Sequence, residues 1–318
     1  MRVLITGATG FVGGHLAEAL LTRGDQVSGL SLHAAWPAEW QHLAPHVPLR
    51  SADLAADAGF VEYLRDLSPD WVFHLAGYAH VGNSFREPDL AWRGNLDATR
   101  RLYDAVAEWG GRPRILHVSS GLIYGAATRG GLCDESCPLR PASPYASSKA
   151  AGDLVAYQYT QHPGLDIVRV RPFNHTGPRQ APLYAVPRFA SQIASIETGR
   201  QAPVVETGDL SARRDLTDVR DMVRAYILLL EKGRRGEAYN AGTGTSFEMG
   251  DILAKLVAMA RVPISVRSKG SSRPTDDAAT ADSSKLRNET GWRPDRSLDQ
   301  TLADTLEYWR GEVVSALA

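Results

Sequence analysis

The chain has 318 residues, 35 Lys plus Arg against 36 Asp plus Glu, a formal net charge of -1 and 43% hydrophobic residues. That is material for one large core or two, and the balance excludes a global positive field for nucleic acid or a membrane surface, so an anionic ligand must be caught by local arginines. Cys133 and Cys137 are too few for a disulfide framework and, with no nearby histidine, a poor zinc pair; no metal site and a reducing compartment are expected. From the start, Arg2-Val3-Leu4-Ile5-Thr6 has the pattern of a short buried strand. Because a strand begins at residue 2 and no apolar run spans a membrane, a cytoplasmic protein without a targeting peptide is expected. Gly7-Ala8-Thr9-Gly10-Phe11-Val12-Gly13 follows at once, and Gly14-His15-Leu16-Ala17-Glu18-Ala19-Leu20-Leu21 reads as an amphipathic helix. Directly after a first strand, this G-x-x-G-x-x-G turn reads as a dinucleotide site. Gly7, Gly10 and Gly13 let the chain turn and a pyrophosphate approach, and the N–H groups around Phe11 and Val12 sit at a positive helix end.

Strand-like runs at 26–32, 71–75, 114–118 and 166–171 alternate with helix-like runs at 59–66, 95–108 and 145–160. The alternation predicts an α/β fold, a doubly wound parallel sheet of Rossmann type. The second strand ends in Gly29-Leu30-Ser31-Leu32-His33 with no acid to hold ribose hydroxyls, and Asp25 precedes the strand. A 2′-phosphate is not repelled there, and Ser31 and His33 are its candidate contacts. The arginine of a committed NADP site is missing, so NADP is favoured and NAD use stays open. Leu75-Ala76-Gly77 ends the next strand. Its small residues let backbone lie against ribose and diphosphate, or simply pack strand on helix.

Ser120 closes the run Ile115-Leu116-His117-Val118-Ser119, and Tyr145 and Lys149 stand four apart, on one face of a helix. An ammonium beside a phenol lowers its pKa toward a useful range, and a serine hydroxyl holds the oxygen that exchanges the proton. The set suits proton transfer at an alcohol or carbonyl oxygen. Beyond Pro172 the character changes. Proline- and glycine-rich pieces (176–187, 199–208) alternate with short helical patterns; 222–231 reads as a helix, Ala238-Tyr239-Asn240-Ala241-Gly242 as a returning strand and 267–281 as a polar loop.

The glycine turn, Val118-Ser119-Ser120 with Tyr124-Gly125, and Tyr145/Lys149 together resemble the extended short-chain dehydrogenase/reductase superfamily, from Met1 to about Trp309. The resemblance implies an NAD(P)-binding domain over 1–172 with return segments around 215–245, and a smaller C-terminal α/β substrate domain, mainly 173–318. Arg171-Pro172-Phe173-Asn174-His175-Thr176-Gly177-Pro178-Arg179-Gln180, with Val186-Pro187-Arg188-Phe189 and Arg213-Arg214-Asp215, is similar to the GDP-sugar branch of dehydratases and 4-keto-6-deoxy-mannose reductases. It implies that Asn174 bonds the sugar nucleotide, that His175 lies beside the nicotinamide, and that Arg214 and Arg273 clamp the diphosphate. Val186 and Arg188 join the substrate side, each arginine having a surface ion pair as its alternative. By the same resemblance Asp53 and Leu54 lie near adenine (Asp53 alternatively capping a helix), Asn95 supports the cofactor and trio, and His80 and Ser84 face the sugar. Relatives pair through the helices at 95–108 and 145–160, so a homodimer is expected.

Dehydration, epimerisation and ketone reduction share this scaffold. Dehydratases of the superfamily carry a carboxylate two residues beyond the catalytic Ser/Thr; here that position is Leu122, which transfers no proton. Asp134 and Glu135, a little further on, are the substitutes to check. A neutral ribose pocket suits a cofactor exchanged each turnover. The expectation is an oxidoreductase reducing a nucleotide-linked 4-keto-6-deoxy sugar, GDP-linked, to a product such as GDP-rhamnose. A 4-epimerase with retained NAD is the alternative, followed by a dehydratase or a non-catalytic dinucleotide sensor.

Overall fold

In the computed structural model, which describes residues 1–125, 131–270 and 279–315, the chain opens on β1 (Arg2–Thr6), α1 (Phe11–Thr22) and β2 (Gln26–Ser31). The alternation continues through β3 (Leu49–Ser51), α2 (Phe60–Leu67), β4 (Trp71–His74), α3 (Pro88–Trp92), α4 (Ala98–Trp109) and β5 (Arg114–Val118). Next come β6 (Leu132–Cys133), α5 (Pro144–Gln161), β7 (Asp166–Pro172), β8 (Asn174–Thr176), α6 (Ala185–Glu197), β9 (Val204–Thr207) and β10 (Arg213–Asp218). The chain finishes with α7 (Val219–Lys232), β11 (Ala238–Ala241), β12 (Ser246–Glu248), α8 (Met249–Ala258), β13 (Ser265–Ser268), β14 (Thr280–Ala281), α9 (Ser284–Thr290) and α10 (Leu298–Ser315).

Seven strands form one parallel sheet in the order β11-β7-β5-β4-β1-β2-β3. Val3, Leu4 and Ile5 of the central β1 are all fully buried, because both faces are covered; hence the unbroken apolar run instead of an alternation. Leu16, Leu20, Met222, Tyr226 and Leu229 from α1 and α7 cover one face. Phe60, Leu64, Leu102, Val106 and Ala156 from α2, α4 and α5 cover the other. The chain leaves β1 toward β2 and β3, then crosses to β4 on the opposite side. That reversal opens a crevice at the carboxyl ends of the strands, where ligands of such sheets bind.

A third core gathers Phe189, Ile193, Ile252, Leu256, Leu302 and Leu306 from α6, α8 and α10, beside a small sheet ordered β12-β10-β8. β8 follows β7 after one residue, so Asn174 and His175 stand just past the carboxyl end of the large sheet. The expected returning strand is β11, paired parallel with β7.

Two expectations are corrected. The helix expected at 95–108 is present but begins earlier, running from α3 through a π-helical turn over Arg93–Asp97 into α4. The polar stretch 267–281 is not all loop, since its ends contribute to β13 and β14, which pair with β9 and β6. Among the described residues, no helix is long and apolar enough to cross a membrane, and no cluster of three His, Cys, Asp or Glu is placed to hold a metal.

Candidate active site

The glycine turn sits at the carboxyl end of β1, against the end of β4. Gly7 has φ +73, and a Cβ there would lie 2.8 Å from the Ala76 nitrogen. A Cβ on Gly13 would lie 2.4 Å from the Gly7 carbonyl, so both positions require glycine. Gly10 is the exposed N-cap of α1 and no side chain caps the helix, which leaves first-turn N–H groups for an anion. The turn, the uncapped helix and the crevice fit a dinucleotide. At the end of β2, the Ser31 and Thr9 hydroxyls are 2.6 Å apart, and Ser31 Oγ also accepts from the His33 amide. His33 is exposed and residues 31–33 carry no carboxylate; Asp25 is tied to the N-terminus and Arg23. Asp53 caps its own turn by accepting from the Ala55 N–H, and its second oxygen pairs with Arg93. Leu54 has its side chain in the core, whereas Leu75 and Ala76 are half-buried and Gly77 is exposed at the crevice.

Ser143 caps α5 by accepting from the Ala146 N–H, Pro144 begins the first turn, and Tyr145 and Lys149 follow on one face. Lys149 reaches back to β5, its Nζ donating to the Val118 carbonyl at 3.0 Å. Ser120, just beyond β5, accepts from the Leu122 N–H and so caps the short turn Gly121–Tyr124. Its hydroxyl lies against the Tyr145 phenol. Asn95 joins from the π turn: its Nδ2 donates to Ser148 Oγ, which donates to the Tyr145 carbonyl. A Cβ on Gly77 would lie 2.4 Å from Asn95 Oδ1 and 3.4 Å from Lys149 Nζ, so Gly77, Asn95 and Lys149 converge on one spot.

The electrostatics differ from expectation. Burial pushes the Tyr145 phenol up to about 12, with the Ser120 hydroxyl pulling the other way. Burial also pulls Lys149 down to about 8. In the protein alone, desolvation outweighs the Ser120 hydroxyl, and the lowering of the phenol expected from the ammonium is not seen.

The helix carrying Tyr145 and Lys149 is anchored one turn further on. Asp153, fully buried, accepts from Arg169 and Arg171 of β7, and Arg171 also donates to the Tyr124 hydroxyl. Sequence reading missed this cluster. The available signal was Arg169 and Arg171 within a buried strand, since buried charges require partners.

On the substrate side, His175 Nδ1 must donate to the Phe173 carbonyl (3.1 Å), which leaves Nε2 an acceptor in the neutral ring; burial lowers its pKa. The His175 ring stacks on Phe11 with centroids 6.2 Å apart, tying the substrate-side strand to the start of α1. Asn174 is half-buried beside it. His80 Nδ1 accepts from the Asn83 N–H, so its Nε2 carries the outward donor. Ser84 is not brought into the crevice: it is fully buried and donates to the Val81 carbonyl. Val186 is packed in the third core, while Arg188 is exposed on α6. Arg214 lies on β10 and donates to the Arg213 carbonyl. Arg273 lies outside the described residues. Leu122 is half-buried two residues beyond Ser120. Of the nearby carboxylates, Glu135 accepts from the Asn240 N–H at 2.6 Å and Asp134 accepts from Ser136.

This geometry agrees with the comparisons to known proteins. The family model described as GDP-mannose 4,6 dehydratase matches residues 4–305. The chain is an extended short-chain dehydrogenase/reductase. A GDP-6-deoxy-D-mannose reductase of Pseudomonas aeruginosa is 33% identical over 98% of both chains. Among solved structures, RMD from Pseudomonas aeruginosa complexed with NADPH superposes with TM-score 0.83 at 30% identity, covering 98% of this chain and 100% of its own. The UDP-glucose 4-epimerase of Thermus thermophilus, complexed with NAD, gives TM-score 0.87 at 31% identity over 98% and 99%. The family is one of nicotinamide-dependent enzymes of nucleotide sugars, and the cofactor of this dehydrogenase/reductase is a nicotinamide dinucleotide.

Proposed function

We propose that this chain reduces a nucleotide-linked 4-keto-6-deoxy sugar, GDP-4-keto-6-deoxy-D-mannose, to GDP-D-rhamnose. The observation that carries the reading is Leu122 in place of an acid beside Ser120, with Glu135 and Asp134 both engaged elsewhere. The trio serves hydride and proton exchange at one oxygen, and the two carboxylates nearest in sequence among the described residues are engaged elsewhere and do not serve elimination. NADPH, favoured over NAD by the acid-free end of β2, supplies the hydride when bound. Ser120 and Tyr145 hold the ketone oxygen. As negative charge develops there, Tyr145, protonated at neutral pH, passes its proton to it, and the Lys149 ammonium stabilises the phenolate left behind. Reprotonation from solvent resets the phenol. Asn174, His175, Arg188, Arg214 and Arg273 are assigned to the nucleotide sugar and nicotinamide, the substrate-binding part being mainly 173–318, and the enzyme works as a cytoplasmic homodimer. The test is NADPH oxidation by purified protein on GDP-4-keto-6-deoxy-D-mannose, with GDP-rhamnose identified by mass and NMR. No oxidation with any GDP-4-keto-6-deoxy sugar refutes the proposal.

The likeness to a UDP-glucose 4-epimerase complexed with NAD favours a second reading, 4-epimerisation. Protein that purifies with stoichiometric nicotinamide and interconverts two nucleotide sugars with none added would establish it instead.

A further inference from the structure

Two rings meet across the mouth of the crevice. His80 comes from the segment after β4 and Tyr184 from the residue before α6; their centroids are 6.4 Å apart with planes tilted by 34°. That is contact distance for aromatic rings. Both are held from behind. The His80 ring is fixed by the Asn83 amide, and the His80 carbonyl accepts from the Ser84 N–H. Tyr184 is the N-cap of α6, its carbonyl accepting from the Arg188 N–H. The Tyr184 phenol is also close enough to that of Tyr145 for charge on one to act on the other. Tyr184 is 39% exposed and its hydroxyl has no hydrogen-bonding partner among the described residues, so a ligand can reach it.

We propose that Tyr184 is a substrate-positioning residue which, with His80, closes over the hexose and holds its keto carbon against Tyr145. This rests on the reading of the crevice as a nucleotide-sugar site. A hexose carbonyl at the Tyr145 and Ser120 hydroxyls lies beneath the two rings. Tyr184 packs on the C–H-rich face of the sugar, His80 offers its Nε2–H to a ring hydroxyl, and together they keep water off the reacting oxygen. The pair reads the sugar and leaves the nucleotide to the arginines.

The probe is whichever of GDP-mannose, dTDP-glucose and UDP-glucose the wild-type protein binds most tightly, with its nucleoside diphosphate as control. Dissociation constants are measured by calorimetry for wild type, Tyr184→Ala, Tyr184→Phe and His80→Ala, and that of NADPH by fluorescence. Tyr184→Ala is expected to weaken the sugar nucleotide by about tenfold and to leave the diphosphate and NADPH within about twofold. Tyr184→Phe keeps the ring and stays within about threefold of wild type, and His80→Ala loses about threefold to tenfold on the sugar nucleotide alone. With the keto sugar, Tyr184→Ala raises KM more than it lowers kcat. Tyr184→Ala that binds sugar nucleotide as wild type does, or loses diphosphate and sugar nucleotide equally, overturns the inference. A wild-type enzyme that binds the sugar nucleotide but oxidises no NADPH refutes the proposed reaction and leaves this binding test standing.

Discussion

At the scale of single residues, two groups in the crevice are displaced by burial in opposite senses. Tyr145, at about 12, stays protonated across the working range, which is what a proton donor to a nascent alkoxide requires. Lys149, at about 8, is charged below that pH and loses its ammonium above it. The sign follows: kcat/KM for ketone reduction is expected to be flat on the acid side and to fall as pH rises through about 8. A pH–rate profile checks it, and Lys149→Arg, whose charge does not titrate, should lack the alkaline limb even at lower activity. Tyr145→Phe should cost about 10²- to 10⁴-fold in kcat while NADPH affinity, followed by fluorescence, stays within about twofold. An unchanged kcat would remove the phenol from the chemistry.

At the scale of elements, the parts that carry motifs were legible and the parts that depend on distant partners were not. The glycine turn, the serine ending β5 and the Tyr145/Lys149 face are local patterns, and each stands where its spacing puts it. The π turn at Arg93–Asp97 was not legible, because its apolar spacing continues that of α4 and its extra residue shows only in backbone geometry. That turn aims Asn95 at Ser148 and Gly77. Likewise β13 and β14 are two short strands whose pairing is set by β9 and β6 far away in sequence, against a local polarity that reads as loop. The anchor of α5 is of the same long-range kind. Asp153 lies on the helix and its two arginines on β7, so Asp153→Asn leaves two buried guanidiniums short of their counter-charge. It should cost about 3–5 kcal/mol in urea unfolding, and kcat should fall as Tyr145 and Lys149 lose their fixed placement. Gly7→Ala acts on the turn instead: strain at φ +73 and the clash with Ala76 should cost about 1–3 kcal/mol and weaken NADPH binding. Wild-type stability and affinity in Gly7→Ala would contradict the geometry of the turn.

At the scale of the whole molecule, an apolar face among the described residues lies open to solvent. Leu90 and Trp92 of α3 and Leu154 and Tyr157 of α5 are between 38% and 58% exposed, and α3 packs directly on α5, so they belong to one surface. Large apolar side chains grouped in this way mark an interaction site, and α5 covers one of the two stretches, 145–160, at which the sequence resemblance leads us to expect pairing. A homodimer through α3 and α5 would set two copies of α5 against each other. The face and the site are mechanically joined: the Arg169 guanidinium lies 5.1 Å from the Tyr157 ring while its other contacts hold Asp153, one turn beyond Lys149. Leu154→Arg places a charge at the centre of this face and touches no group in the crevice. It is expected to convert a dimer into a monomer in light scattering coupled to size exclusion. In such a dimer partner contact would help to hold Arg169 and through it α5, so the monomer should also turn over more slowly while binding NADPH as before. A wild-type protein that elutes as a monomer at micromolar concentration, or a Leu154→Arg variant that remains dimeric, would leave this surface with some other occupant.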